Sequence, residues 1–568
     1  MELKECIEQF LKITSGFLLS EQLKPTKEII DNYYKRLSEP MQVAIIGKIK
    51  ASKSTLVNAI LEEDNLVQTG DMEVTYNVSW LKFDEYAQSI KVHFKDNTQT
   101  LIDKSKWTEW ANAQSKDEIK NKIAFMEIPQ NNPVLEKINI IDTPGLLSGG
   151  IDAQNTIDFL SKKEHKPDAV VVLFAGSIHE DVASIVTQFQ NHELNFTPLN
   201  TLGVLSKIDS YWKPEQNKLE YPMMKGLETC ERLMSDANTK GLFYKIYPVN
   251  SLLSVASFSI TQKDVELLKM LSELPLNEIE GSLYSPTNFY SDPELPITPC
   301  IYHDETKQSK CTHPRYNGLC KVYYGKFVDL GLDANCIRPY LYRKFDRFGI
   351  MLLCTYLKEN PDARLEEIKL HLRQTSGYND FVKVLRNHFG ERATLIKMQS
   401  AISNLLSDLK EESNRLANEN KIESAEFVDI IHTALLKEKE FDLELKLMGI
   451  LCVLYENKLC NMGSYTEISQ EEIESDIMHI SGEFGSSLTV KLGLKEDLNL
   501  EGLKRIADDK IRKWRILAKN FHEDAVEIEY SDYAKVIYKT YQEIKNNLDV
   551  LSNKIDEYNK LLYIDNKQ

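Results

Sequence analysis

A short β-branched run that breaks into a lysine- and serine-rich loop and then a helix constrains this chain more than any other feature. Gln42–Ile46 (QVAII) runs into Gly47-Lys48-Ile49-Lys50-Ala51-Ser52-Lys53-Ser54-Thr55 and then into LVNAILEE. This is the strand–loop–helix context of a phosphate-binding loop. Gly47 allows the sharp turn, and backbone N–H groups from Lys50 through Ala51 and Ser52 to Thr55 point inward around phosphate oxygens. The following helix adds its positive N-terminal end. Lys53 supplies a point charge to β- and γ-phosphates, and the Ser54 hydroxyl is placed to ligate Mg²⁺. One residue departs from the pattern. The position before the lysine is normally glycine, and Ser52 stands there, where a side chain crowds the phosphates or strains the backbone. Alone, so degenerate a match is explained as well by a chance turn.

Three further patterns follow in order, each at a strand end. Ile140-Ile141-Asp142-Thr143-Pro144-Gly145 closes a buried run; Asp142 holds Mg²⁺ through water and the Gly145 N–H touches a γ-phosphate. Leu205-Ser206-Lys207-Ile208-Asp209 fits the guanine-reading pattern Asn/Thr-Lys-x-Asp except at its first position. The Asp209 carboxylate accepts the N1–H and 2-amino hydrogens that adenine lacks, and the Lys207 stem lies over the base plane. Ser206 is shorter than asparagine and braces the loop less. Asn250-Ser251, after the last strand run, offers backbone N–H groups to the guanine oxygen. Between the first two patterns, Thr75 is a candidate switch residue that closes over Mg²⁺ while a γ-phosphate is present; a strand threonine explains it equally well. No glutamine follows Asp142-Thr143-Pro144-Gly145; Leu146 and Leu147 do. An attacking water is then positioned by backbone, by the loop itself or by a partner subunit.

The rest of the chain sets this region in context. From about Gln42 to Ser254, strand-like runs alternate with helical stretches: QVAII, Lys137–Ile141, Ala169–Phe174, Thr201–Leu205 and Tyr244–Val249. The unbroken apolar Ala169–Phe174 run implies a parallel sheet covered on both faces. Before it, Leu3, Ile7, Phe10, Thr14 and Phe17 share one helix side, and a second helix starts at Pro25-Thr26. Residues 281–345, rich in proline and tyrosine, read as an irregular insertion or linker. From Asp346 the chain reads as helical almost to its end. Ile537, Tyr541, Ile544, Leu548, Leu551, Ile555, Tyr558 and Leu562 form a heptad seam about 39 Å long at the standard helical rise; the expected use is an ordinary bundle helix. The predicted organisation is therefore N-terminal helices over 1–39, an α/β domain over 40–280, the linker over 281–345 and a helical neck and trunk over 346–568. A length of 568 residues fits several structural units. The net charge of −17 argues against charge-driven nucleic-acid binding. The charged Met1–Phe17 segment carries no secretory signal, and the apolar Leu447–Tyr455 run is too short to span a bilayer. Nine cysteines, mostly single, read as reduced thiols in a cytosol. The expected location is cytoplasmic or peripheral to a membrane.

With these motifs in place, the sequence resembles the dynamin superfamily, in particular bacterial dynamin-like proteins of the LeoA (labile enterotoxin output A) kind. The resemblance rests on the Lys50-Ala51-Ser52-Lys53-Ser54-Thr55-Leu56-Val57-Asn58-Ala59 core, on helices both before and after the α/β domain, and on Ser376-Gly377, Asn387–Ala393 and Lys397, which look like the link from head to stalk. It implies an α/β P-loop GTPase head with a mostly parallel, three-layer sheet, plus an elongated α-helical neck and trunk bundle. It also implies GTP and GDP as ligands, Mg²⁺ as cofactor and a homodimer formed through the heads. Anionic lipid membrane or a second dynamin-like protein are the further partners it suggests, with no nucleic acid. Eukaryotic dynamins carry a polar Gln-Ser pair where this chain has Ile49-Lys50, so Lys50 is a candidate for the same charge-compensating role, or hydrolysis is slow. Two other readings stand beside this one: a regulatory or assembly GTPase without membrane activity, and a hydrolysis-deficient nucleotide-binding scaffold.

Weaker patterns take bland readings. Cys300, His303, Cys311, His313 and Cys320 are close in sequence but fit no standard zinc spacing. The basic amphipathic stretch 503–519 suits an anionic lipid surface, yet reads more simply as a trunk helix with its apolar stripe in the core. Leu445–Leu454 and the Gly482–Gly493 stretch are a second candidate membrane tip, again with core as the simpler reading.

Overall fold

The computed structural model describes the chain apart from residues 1–10, 13, 17, 19, 48–50, 64–77, 87–88, 105–121, 144–166, 177–185, 187–196, 214–218, 237–238, 240, 298–336, 392, 438, 456–458, 460–461, 466–467, 485–486, 495–498, 522–524 and 566–568. The chain divides into two compact units, one formed by Pro40–Gly390 and the other by Met1–Glu39 with Glu391–Gln568.

The first unit is built on a nine-stranded sheet with the order β4-β3-β5-β2-β6-β1-β7-β8-β9. The strands are β1 (Met41–Gly47), β2 (Val78–Phe83), β3 (Ser89–Phe94), β4 (Gln99–Asp103), β5 (Ile123–Gln130), β6 (Ile138–Asp142), β7 (Ala169–Phe174), β8 (Thr201–Leu205) and β9 (Lys245–Pro248). From β6 through β1, β7 and β8 to β9 every pairing is parallel. The mostly parallel sheet expected from sequence is therefore present. Residues of β1, β6, β7 and β8 are buried throughout, which is why these strands read as unbroken apolar runs. β2 turns against β6, and β3 and β4 continue the antiparallel edge beyond β5.

Helices cover the sheet. Lys53–Leu61 follows β1, Tyr221–Ser235 precedes β9, and Ser251–Ser259 follows it. A second apolar core joins Leu253, Leu268, Phe289, Leu341, Phe348 and Leu372. It carries the unit past the boundary that the sequence suggested at Asp346. The helix Ile337–Glu359 and the helix Leu365–Thr375 bury their apolar faces here, not in the trunk. The expected irregular stretch 281–345 is also corrected over its described part. Pro286–Ser291 is helical, with proline in its first turn and the Ser285 hydroxyl accepting the Asn288 N–H at 3.1 Å. The next helix begins at Ile337 rather than Asp346.

The second unit is helical. Lys24–Ser38 packs on Ala393–Asn418 and Ile422–Lys437 around Leu23, Ile30, Leu37, Leu405, Leu409, Val428 and Ile431. The Lys397 ammonium closes the C-terminus of Lys24–Ser38 by donating to the Arg36 and Glu39 carbonyls at 2.6 and 2.7 Å. The helix Ala525–Asp565 buries Ile537, Tyr541, Ile544 and Leu548 within the unit, whereas Leu551 is 45% exposed. The first half of the heptad seam thus serves an intramolecular bundle. In Leu500–Asn520 the apolar residues Leu503, Ile511, Trp514 and Leu517 are buried. Its Lys510 and Lys513 pair with buried Asp476, and Lys504 pairs with Asp549. Leu447, Met448, Ile450 and Leu451 are core residues as well. Among the described residues, no helix is long and apolar enough to cross a membrane.

Candidate nucleotide site

Because the strands from β6 to β9 run parallel, the segments that follow β1, β6, β8 and β9 all leave the sheet at one edge. Ligands of open α/β sheets bind outside that carboxyl edge. The sequence motifs after Gly47, Asp142, Leu205 and Val249 are thereby brought to one side of the unit.

Gly47 ends β1 opposite Leu173 of β7. A Cβ at Gly47 would lie 2.6 Å from the Leu173 carbonyl oxygen, so close strand approach alone requires glycine here. Ala51 is buried, Ser54 and Thr55 are half-buried, and Lys53 opens the helix. Ser52 has φ 65° and ψ 28°, a left-handed conformation that favours glycine. The strain expected at this residue is therefore in its backbone. Lys53, 8% exposed, donates from Nζ to the Gly47 carbonyl at 3.3 Å.

Asp142 lies beside Ile45 in the β1–β6 register and is fully buried. Among the described residues, neither carboxylate oxygen has a hydrogen-bond partner of ordinary geometry. Burial pushes its pKa up to about 7, although the Lys53 charge, the Ser54 hydroxyl and the Thr143 amide all favour the ionised form. A buried carboxylate next to an ammonium and a hydroxyl suits a phosphate-bound divalent cation. This donor set of hard oxygens fits Mg²⁺. Thr143, not singled out in sequence, ties this end of β6 to β1 through its hydroxyl, which donates to the Ile45 carbonyl at 2.8 Å. Lys50, Thr75, Gly145 and the Cys300, His303, Cys311, His313 and Cys320 group lie outside the described residues.

The base-reading segment follows β8. Ser206 is buried and holds the end of β7 with two donors, its N–H at 2.8 Å and its hydroxyl at 3.0 Å from the Phe174 carbonyl. This short side chain thus braces the loop directly. Lys207 is left-handed at φ 57° and exposed. Asp209 is half-buried, and burial together with the charge of Asp346 pushes it up to about 7. The expectation for Asn250 needs correction. Its N–H donates to the Ser376 carbonyl at 2.9 Å, and its side chain caps Ser251–Ser259 by accepting the Leu253 N–H at 3.1 Å. Its amide is committed to the fold; Ser251 opens the helix Ser251–Ser259, and its buried hydroxyl has no partner among the described residues.

Residues 43–208 match the model of the Dynamin family. The chain is 26% identical over 274 residues to the isoniazid-induced protein IniC of Mycobacterium tuberculosis, covering 47% of this chain and 54% of the relative. It is 27% identical over 268 residues to dynamin-like protein 2 of Campylobacter jejuni, covering 47% and 40%. The match therefore spans about half the length of these curated relatives. Among solved structures, one described as "An oligomerised bacterial dynamin pair provides a mechanism for the long-range sensing and tethering of membranes" is similar at TM-score 0.28 and 15% identity. It covers 99% of this chain and 78% of its own.

Proposed function

Since residues 43–208 of this chain match the model of the Dynamin family, we propose that it binds GTP with Mg²⁺ at the carboxyl edge of its sheet and hydrolyses it. Two α/β units pair across the nucleotide, and the helical unit moves in response at a membrane surface. The observation that carries the nucleotide reading is Asp142. A fully buried carboxylate that lacks a hydrogen bond of ordinary geometry among the described residues is costly in a folded chain, and Lys53 and Ser54 flank it where a magnesium phosphate would offset that cost. Ser54 and Asp142, with Thr75, are the residues that would hold Mg²⁺, which neutralises charge on the phosphates when bound. Lys53 leaves the Gly47 carbonyl for the phosphates. Asp209 reads the guanine edge under the Lys207 stem, and Lys50 compensates charge during hydrolysis.

One observation favours a second reading, a regulatory GTPase without membrane activity. Lysines of the basic stretch 503–519 are engaged by acidic residues of neighbouring helices, which leaves less charge for lipid. Calorimetric titration of the full chain with GTP or ATP, both with Mg²⁺, tests the core proposal. Heat is expected with GTP and not with ATP, and Lys53→Ala should lose it. Tight GTP binding by Lys53→Ala overturns the loop assignment, and no heat with GTP overturns the whole. Turnover per molecule should rise with protein concentration. A further rise with anionic liposomes supports the membrane reading, and its absence supports the second.

A further inference from the structure

The end of the edge strand β9 is gripped by a later part of the chain. The helices Leu365–Thr375 and Tyr378–Val384 meet at the corner Ser376-Gly377. Ser376 is fully buried, and its carbonyl accepts the Asn250 N–H at 2.9 Å. Its hydroxyl donates to the Arg373 carbonyl at 2.9 Å and accepts the Tyr378 N–H at 3.3 Å, which fixes the corner. Gly377 has φ 73°, and a Cβ there would lie 2.4 Å from the Pro248 carbonyl oxygen. Glycine is needed twice over, for its left-handed backbone and for its lack of bulk. Gly226 closes in Pro248 as well, since a Cβ on it would lie 2.8 Å from the Pro248 Cβ. The same segment is tied to β8 through the Val249 N–H, which donates to the Leu205 carbonyl at 3.0 Å. Val249-Asn250 is therefore held between the end of β8 and the Ser376-Gly377 corner. Asn250 in turn caps Ser251–Ser259, so the corner fixes where that helix begins. The Ser251 N–H, first in the helix, has no acceptor within it.

We infer that Ser376 and Gly377 are positioning residues for guanine: they set the Ser251 N–H where it meets the oxygen of the base. This rests on the reading of guanine at the carboxyl edge, with the segment after β9 as the contact for that oxygen. The Asn250 N–H is taken by Ser376, so the contact falls to Ser251. The corner acts through the main chain of residues 248–251. A side chain at Gly377 must move either the corner or the end of β9, and a hydrogen bond weakens steeply as its angle and distance leave the favoured range. The loss falls on the base, while Lys53 and the loop after β1 keep their hold on phosphates. A separate tie supplies a contrast. Arg373, on the helix that leads into the corner, pairs with Glu62 beyond the end of Lys53–Leu61 at 2.8 Å.

The test is calorimetry on the full chain with Mg²⁺ and three probes, read directly or by competition. GDP carries the base oxygen, 6-thio-GDP puts a weak sulfur acceptor in its place, and inorganic tripolyphosphate reports the phosphate loop alone. Wild type should prefer GDP to 6-thio-GDP. Gly377→Ala should bind GDP roughly tenfold more weakly, the worth of one hydrogen bond. It should lose the preference for oxygen and hold tripolyphosphate as wild type does. Ser376→Ala frees the corner without adding bulk and should shift the same ratios by a smaller factor. It decides the matter if circular dichroism shows that Gly377→Ala does not fold. Arg373→Ala breaks the tie to Glu62 and should leave the ratios alone. Equal weakening of GDP and tripolyphosphate, an unchanged preference for oxygen, or ratios that Arg373→Ala moves as far, would each mark the corner as merely structural and overturn the inference. So would a wild type that binds both nucleotides alike. A wild type that binds tripolyphosphate as tightly as GDP overturns the underlying reading of guanine instead.

Discussion

Ser52 shows how much one side chain decides in the phosphate loop. Its left-handed backbone costs a residue with a Cβ about 1 kcal/mol that glycine does not lose, and its hydroxyl makes no capping bond to the helix it precedes. Ser52→Gly is therefore expected to stabilise the α/β unit by about 0.5–1 kcal/mol and to bind GTP at least as well. Urea unfolding and nucleotide titration measure both, and a destabilised glycine variant would show that the serine side chain has a role the backbone does not reveal. Sequence alone marked Ser52 as the odd residue because the pattern around it is local. It did not mark Asp346, where the helix Ile337–Glu359 kinks at φ 53° and ψ 175°, a break that no periodicity announces. At Gly47 the structure shows a constraint that sequence did not: the Leu173 carbonyl on the neighbouring strand, a contact that exists only after the sheet forms.

At the scale of elements, Arg338 is the clearest determinant in the stretch that sequence read as irregular. It is fully buried and donates to main-chain carbonyls of Phe289, Asp292, Leu295 and Ile297 at 3.0, 2.6, 3.2 and 2.8 Å. One guanidinium thus holds the turn after the helix Pro286–Ser291 against the start of the helix Ile337–Glu359. Arg338→Met fills much of the same volume but strands those carbonyls, and a loss of about 3–5 kcal/mol is expected. Chemical denaturation reads it, and a change under about 1 kcal/mol would mean the turn repacks freely. A charged residue in a tyrosine-rich segment gives no hint of this in sequence. The central strands were legible because burial on both faces leaves an unbroken apolar run, as in Ala169–Phe174. β3, by contrast, alternates buried and half-exposed residues, with Lys91 and His93 on its more open face. That pattern among charged neighbours is easily passed over, and the antiparallel edge went unread.

At the scale of the whole molecule, the two units have separate cores, so they should melt under separate controls. GTP with Mg²⁺ binds only the folded α/β unit in the proposed scheme and should raise that transition alone. The helical unit carries its own pH dependence in Glu483. This group accepts from the Tyr455 hydroxyl at 3.0 Å, and burial pushes it up to about 8. In the unfolded chain a glutamate titrates near 4.3. The folded form thus keeps its proton over a range where the unfolded form has lost it. The stabilising contribution is complete below the unfolded value and is lost as pH rises through the folded one. Each unit of difference is worth about 1.4 kcal/mol, so the helical unit should weaken by a few kcal/mol between about pH 5 and 8. Glu483→Gln keeps an acceptor for Tyr455 and cannot ionise, so its transition should hold steady over the same range. Differential scanning calorimetry at several pH values, with and without GTP and Mg²⁺, resolves the two effects. A single transition that nucleotide and Glu483→Gln move together would show that the separate cores unfold as one cooperative body, and the division of labour between them would have to be abandoned.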